Sequence, residues 1–359
     1  MSAEAHVNYG SARAILLTND DGIHPDKSLI LSLASALVVN GHNVVVVAPG
    51  RNNSACGQRI TLGKALTLRR HPRYENQFGS VEPNGAPKGE LRVFSVDKGT
   101  PADCIFIAIE PKTGLVAKLG FYPCLTLSGV NYGQNMGSDI LYSGTFAGAR
   151  QSAMYGVPAI ASSLDLHLGT SSSTSCKQSC DRAITATVEL AESALKVLPK
   201  VPLDFGRRNP EAGISTNVIA RDETQSLDER TRDAFARGDL VLNLNIPKAW
   251  NAEYEMTRLD CLLYRGVVQL EYVPNGKDGH PEETLAIKMR SSGADQMHSK
   301  GSDLTAVERG RASVTAVGTW PSPHPLALPG QLMEESVRNG LGWIPHVSAK
   351  LQKEILHNF

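Results

Sequence analysis

The chain has 359 residues, of which 41% are hydrophobic and 20% are charged. These are ordinary values for a globular protein and argue against wholesale disorder. The 36 basic residues balance the 36 acidic residues, which argues against a binder of nucleic-acid polymers, because such binding needs a basic surface. The charge balance does not exclude a single nucleotide as a ligand.

The chain shows no sign of export or membrane insertion. Its first residues lack the pattern of a signal peptide, and no apolar run is long enough to cross a bilayer. The six cysteines have no C-x-x-C spacing, which indicates reduced thiols. We therefore expect a cytoplasmic protein that does not associate with membranes.

Strands and helices are predicted to alternate after an N-terminal tail, residues 1–13. Four short apolar runs predict strands, at residues 14–17, 44–48, 124–127 and 157–161. Helices are predicted between them, over residues 27–39 and 145–155. This order predicts an α/β fold, a Rossmann-like, doubly wound parallel sheet.

The rest of the chain divides into insertions and a C-terminal extension. Residues 14–325 are predicted to form the main domain, with insertions near 71–90 and 202–238, where apolar periodicity is weak. Strands are predicted at residues 242–247 and 267–272. Residues 326–359 form a predicted helical extension.

Polar segments follow three of the predicted strands. They are Asn19-Asp20-Asp21-Gly22, residues 51–54 with Ser54, and a loop at 128–131 with Asn131. Because ligands bind beyond the carboxyl ends of parallel strands, these segments should converge on one rim. Taken alone, the Asp pair fits a turn as well as a metal site. Its placement after a buried strand favours a site.

Such a rim would offer only oxygen ligands. Carboxylate, hydroxyl and amide oxygens select a hard cation such as Mg²⁺, Mn²⁺ or Ca²⁺. The cation would polarise a phosphoryl group and lower the pKa of a bound water. We expect Asp20 or Asp21 to accept the proton of that water. The segment before the helix at 145–155 could bind phosphate through its amides or serve as a simple N-cap with Ser143 and Thr145.

Several strings of the first half resemble the SurE survival-protein family. They are ILLTNDDG at 15–22, SACG at 54–57, GTPADC at 99–104, SGVNYGQNMG at 128–137, YSGT at 142–145 and GVPAIA at 156–161. The resemblance is dense over residues 14–164 and then thins. The lengthened chain is similar to the larger eukaryotic acid-phosphatase branch of that family.

The resemblance implies a 5′-nucleotidase or acid phosphatase that acts on nucleoside monophosphates. It implies one Mg²⁺ or Mn²⁺ ion, with Asp20, Asp21, Ser54 and Asn131 as its ligands. The phosphate pocket would be lined by Asn135, Ser143, Gly144 and Thr145, and we add Asn19 and Gly22, which flank the carboxylates. A homodimer or homotetramer with exchanged C-terminal β-hairpins is also implied.

One departure leaves an alternative open. Family members often carry Thr-Pro-x-His near the C-terminal end, where this chain has Thr315-Ala316-Val317-Gly318. We therefore expect the pocket to lack the proton donor that this histidine would supply. The alternative is a non-catalytic protein that binds metal and nucleotide. A dinucleotide-dependent enzyme is disfavoured, because G-x-G-x-x-G does not follow the first strand.

Overall fold

The structure is a computed structural model that describes most of the chain. It describes residues 12–26, 28–79, 89–110, 113–166, 173–199, 224–273, 284–289, 294–322, 324 and 326–345. Within this part, no helix is long and apolar enough to cross a membrane. All six cysteines are free thiols, as expected from their spacing.

The core of the fold is a nine-stranded mixed sheet. Six parallel neighbours form its centre, in the order β4 (Leu91–Asp97), β2 (Asn43–Pro49), β1 (Ala12–Thr18), β5 (Phe121–Tyr132), β6 (Ala159–Asp165) and β7 (Leu240–Pro247). Antiparallel strands flank them, β3 (Thr67–Arg70) beside β4 and β13 (Ala312–Gly318) beside β7, and β8 (Tyr254–Thr257) lies parallel to β13. The strand predicted from 14 begins at Ala12, inside the expected tail.

Helices cover both faces of this sheet. They are α1 (Ile30–Val39), α2 (Pro72–Phe78), α3 (Pro101–Ile109), α4 (Leu115–Lys118), α5 (Gly144–Met154), α6 (Ser173–Val197), α7 (Leu227–Ala236), α8 (Asp303–Glu308) and α9 (Gly330–Asn339), with a 3₁₀ turn at Gly137–Leu141. In β1, Ile15 and Leu17 join the apolar cluster of α1 and α6, whereas Leu16 joins that of α3. Successive side chains of β1 point to opposite faces, and both faces are covered by helices, which explains why its apolar run is continuous. The predicted doubly wound α/β fold is confirmed.

Two expectations about polar and charged segments need correction. Residues 128–131 are not a loop, because β5 continues through them to Tyr132 and pairs with β6 across a register shift. Charged residues 227–236 form helix α7, whose Phe235 packs on Trp343 with ring centroids 5.4 Å apart. Trp343 belongs to the main apolar cluster, so the described end of the chain, up to residue 345, is part of the core.

The predicted insertion at 71–90 also contains ordered structure. Helix α2 begins the segment, and its buried Glu75 accepts hydrogen bonds from Arg70 and from the backbone amide of Val93. Residues 80–88, in the later part of the first predicted insertion, and 201–223, over the earlier part of the second, lie outside the described residues, as do 346–359 of the C-terminal extension.

Two small antiparallel sheets stand apart from the large one. They pair β9 (Leu262–Tyr264) with β12 (Ala294–Gln296), and β10 (Val268–Val273) with β11 (Thr284–Met289). The strand predicted at 267–272 is therefore present. The second pair, which we call the β-arm, corresponds to the hairpin that the family resemblance implies.

Candidate metal and phosphate site

The carboxyl ends of β1, β2 and β5 meet at one rim of the sheet. The segments that follow β1 and β2 carry Asp20, Asp21 and Ser54, and the end of β5 carries Asn131. The backbone amide of Asn53 donates to the Asp20 carbonyl oxygen at 2.7 Å. This bond joins the first two segments directly, so the convergence expected from the sheet topology is present.

Asp20 is held by the start of helix α5. Its Oδ1 accepts a 2.7 Å hydrogen bond from Thr145 Oγ1, and its Oδ2 accepts one from the Thr145 amide at 3.2 Å. The residue is only 3% exposed. Burial raises the pKa of Asp20, and the Thr145 hydrogen bonds oppose that rise.

Asp21 has weaker partners on the opposite side of the rim. Its oxygens accept hydrogen bonds from Asn52 Nδ2 at 3.3 Å and from the Tyr132 amide at 3.2 Å. Burial, and next the charge of Asp20, raise the pKa of Asp21 to about 7. Within the described residues, neither carboxylate has an ion-pair partner.

A divalent cation would remove this electrostatic penalty, and the neighbouring atoms suit one. Ser54 is exposed, and Asn131 donates through Nδ2 to the Gly133 carbonyl oxygen at 2.8 Å, which leaves its Oδ1 as the ligating atom. The described residues contain no group of three or more His, Cys, Asp and Glu side chains that could hold a metal. A site here would thus use two carboxylates completed by hydroxyl and amide oxygens, a set that fits a hard cation.

Asn135 is fixed by a buried amide network. Its backbone amide donates to Asn245 Oδ1 at 2.8 Å, and its carbonyl oxygen accepts from Asn243 Nδ2 at 2.8 Å. Its own side chain donates to Ser163 Oγ at 2.8 Å. The sequence analysis did not identify Asn243 and Asn245, because they lie more than a hundred residues from Asn135 along the chain. The alternating apolar residues around them predict a strand and give no sign of a binding site.

These groups open into a cavity of about 530 Å³. Five of the residues proposed from the sequence line it, namely Asp20, Ser54, Asn131, Asn135 and Ser143. An aromatic and apolar wall that the sequence did not indicate lines another part of it, from Tyr132, Tyr142, Tyr264, Val267 and Met289, and Asp139 is the second carboxylate in the lining. Tyr264 also donates a hydrogen bond to Asp139 at 2.5 Å, which ties the wall to the 3₁₀ turn.

The other proposed site residues lie behind the lining. Asn19 closes the turn by donating to the Gly22 carbonyl oxygen at 2.9 Å and by accepting from the Gly22 amide at 3.1 Å. Thr145 supports Asp20, as described above. A Cβ on Gly144 would lie 2.7 Å from Cys56 Sγ and 2.9 Å from Asp20 Oδ2. The glycine therefore allows α5 to approach the carboxylate.

Gly318 does not lie at this cavity within one chain, contrary to the expectation from the sequence. Strand β13 runs antiparallel to β7, and Gly318 pairs with Leu240 at the start of β7. It therefore lies at the opposite end of the sheet from Asp20. Gly318 is not among the described residues that line the cavity.

Comparison with known proteins agrees with the fold and the motifs. A family model described as survival protein SurE matches residues 15–265. A 5′-nucleotidase SurE from Caldanaerobacter subterraneus subsp. tengcongensis is 41% identical over 152 residues, 42% of this chain and 51% of that protein. One from Helicobacter hepaticus is 29% identical over 308 residues, 85% of this chain and 92% of that protein.

A solved structure covers nearly the whole fold. The crystal structure of SurE protein from Aquifex aeolicus superposes with a TM-score of 0.53 and 25% identity, covering 90% of this chain and 97% of that one. Many of the curated relatives are matched over only about half of their length. Because the family model covers most of the chain, this protein belongs to the SurE family.

Proposed function

We propose that this protein is a divalent-metal-dependent phosphatase that hydrolyses phosphomonoesters, with nucleoside 5′-monophosphates as its substrates. One observation carries the proposal. Two adjacent, buried carboxylates have no cationic partner among the described residues; Asp20 lines a cavity large enough for a nucleotide, and Asp21 lies next to it. The relatives named 5′-nucleotidase support the same reaction class.

In this proposal Asp20, Asp21, Ser54 and Asn131 hold one Mg²⁺ or Mn²⁺ ion. When bound, the ion would polarise the phosphoryl group and lower the pKa of a water. Asp20 is oriented by Thr145, and Asp21 by the Tyr132 amide. One of these carboxylates accepts the proton of the attacking water, and its burial keeps competing water away from the reacting atoms.

The phosphate would lie at the start of α5. The Gly144 and Thr145 amides already donate to Asp20, and the Phe146 amide donates to Ser143, so side chains at this helix start, rather than these amides, would bind the phosphate. Asn135 and Ser143 lie on the cavity surface beside it. The rigid amide network behind Asn135 keeps this residue in place when phosphate leaves.

The leaving group would lie against the aromatic wall. Tyr142 is 58% exposed and Tyr264 is 38% exposed, so both rings offer open faces at the cavity. Aromatic and apolar side chains of this kind stack on a nucleobase or cover a ribose. This feature favours nucleotides over small phosphate esters that lack a ring.

A homodimer or homotetramer is part of the proposal. Two cross-strand apolar pairs of the β-arm, Val268 with Met289 and Leu270 with Ile287, share one face. Each of the four side chains is at least half exposed. An exposed apolar ladder of this kind is typical of a surface that a second subunit covers.

The first experiment measures phosphate release from AMP with Mg²⁺, with Mn²⁺ and with EDTA. Wild-type protein should turn over only with metal, whereas Asp20→Asn and Asp21→Asn should lose most of this activity without unfolding. Asp26→Asn is the matched control, because this exposed carboxylate lies on the same loop. Metal binding without phosphate release from any monoester would favour the non-catalytic alternative. The non-catalytic alternative rested on the missing histidine at position 318. Gly318 lies at the opposite end of the sheet from Asp20 of the same chain, which weakens that alternative.

A further inference from the structure

A second cavity, which we call the basic pocket, lies beside the candidate site and has no role in the proposed reaction. Its volume is about 540 Å³, and it is lined by four cationic residues, Arg51, Arg59, Lys64 and Lys98. No acidic residue lines it. The chain as a whole carries no net charge, so this is a local concentration of positive charge.

The four cationic residues are exposed to solvent. Within the described part of the chain, none of them forms an ion pair. Two carboxylates adjoin the pocket and have other partners, although Asp103 is bound to Thr61, which itself lines the pocket. Asp97 pairs with Arg69 at 2.8 Å, and Asp103 accepts hydrogen bonds from the amide and the hydroxyl of Thr61.

Like charges around one pocket repel one another, and because all four side chains are exposed, solvent and salt screen much of that repulsion. An anion bound among them would be attracted by all four charges. Lys98 adds a conformational cost, because its φ of 59° lies in the left-handed region that favours Gly and Asn. A bound anion would remove the charge repulsion, whereas the backbone cost at Lys98 is the same in the empty and the occupied pocket.

The basic pocket is connected to the candidate metal site through Asn53. The Asn53 side chain donates to the Arg51 carbonyl oxygen at 2.9 Å and to the Gly99 carbonyl oxygen at 3.2 Å. Gly99 follows Lys98 in the chain, and the Asn53 amide donates to the Asp20 carbonyl oxygen. One residue thus joins two walls of the basic pocket to the backbone of a proposed metal ligand.

We propose that the basic pocket binds an anion that carries two or more phosphate groups. Four positive charges around one cavity match the charge of two phosphates, whereas a single phosphate would leave an excess. The phosphates belong either to a separate effector or to a substrate that carries a second phosphate group. The binding itself does not rest on the proposed phosphatase activity.

Binding is tested first without metal, so that the two carboxylates of the candidate site repel the probe. Inorganic pyrophosphate is titrated into EDTA-treated protein by calorimetry, with wild type, Lys64→Gln/Lys98→Asn and Lys177→Gln/Lys196→Gln. Asn tolerates the left-handed backbone of position 98. The second double variant removes the same charge from exposed positions on α6.

Wild type and the α6 control should bind pyrophosphate with equal affinity, and the basic-pocket variant should bind at least about tenfold more weakly. Wild-type affinity should fall as salt is raised. Equal affinity in all three proteins, or no binding by wild type at millimolar pyrophosphate, would overturn the proposal.

Turnover with metal then separates the two sources of phosphate. If the second phosphate belongs to the substrate, adenosine 3′,5′-bisphosphate should have a lower KM than AMP, and only its KM should rise in the basic-pocket variant. If an effector binds, pyrophosphate should change AMP turnover in wild type but not in that variant. Pyrophosphate binding without any turnover of AMP would contradict the proposed function and leave the basic pocket supported.

Discussion

Replacement of Thr145 by Val tests how the proposed metal ligand Asp20 is held. Thr145 is fully buried, and its hydroxyl donates to Asp20 Oδ1 at 2.7 Å. Val has nearly the same shape and removes only this donor. Because the acceptor is a buried carboxylate, we expect the free energy of unfolding to fall by about 1.5–3 kcal/mol.

The same substitution should weaken metal binding. A hydrogen bond that orients a ligand typically changes metal affinity by about 10–100-fold when it is removed. Mn²⁺ affinity is measured by calorimetry at neutral pH, and stability is measured by urea unfolding of the metal-free protein.

Thr126→Val is the matched control. Thr126 is also fully buried, in β5, and its hydroxyl bonds the hydroxyl of Ser152 on α5 at 2.6 Å, with no carboxylate involved. This variant should lose a similar amount of stability, about 1–3 kcal/mol, because Ser152 loses a buried partner. Its Mn²⁺ affinity should stay that of wild type. Wild-type metal affinity in Thr145→Val would refute the reasoning that Thr145 positions a metal ligand.

Two further predictions concern the same rim. Gly144→Ala should reduce metal affinity and stability, because the added Cβ would lie 2.7 Å from Cys56 Sγ. Gly330→Ala is the control and should be tolerated, because open space surrounds its Cβ. Equal thermal midpoints and equal metal affinities for the two variants would contradict this prediction. Burial raises the pKa of Asp139 to about 6, so its contribution to stability is full below pH 4 and is lost as pH rises through 6. The loss is on the order of 3 kcal/mol. Asp139→Asn should remove this part of the pH dependence when the metal-free protein is denatured at a series of pH values. An unchanged slope of the unfolding free energy against pH in the variant would count against this prediction.

The sequence predicted the centre of the fold because both faces of β1 and β2 are covered. Runs such as Val44 to Val47 are apolar without alternation, and only a strand buried on both sides needs that pattern. The position of Asp20 and Asp21 followed from the same argument, since whatever follows a central parallel strand lies at the ligand-binding rim.

The rest of the site depends on contacts between distant parts of the chain. Asn245 reaches Asn135 across 110 residues, and Tyr264 reaches Asp139 across 125 residues. No local period or motif encodes such pairs. The wrong expectation for Gly318 has the same origin, because its place depends on the direction of β13, and strand direction is a property of the whole sheet.

One titration tests the central claim that an oxygen-ligated metal at Asp20 and Asp21 drives phosphate release. Mn²⁺ is added stepwise to EDTA-treated protein while bound Mn²⁺ and phosphate release from AMP are measured in the same samples. Activity should be absent at first and should rise in proportion to a single bound Mn²⁺ per chain. Full turnover before any metal binds, or one bound Mn²⁺ per chain without turnover, would contradict the account.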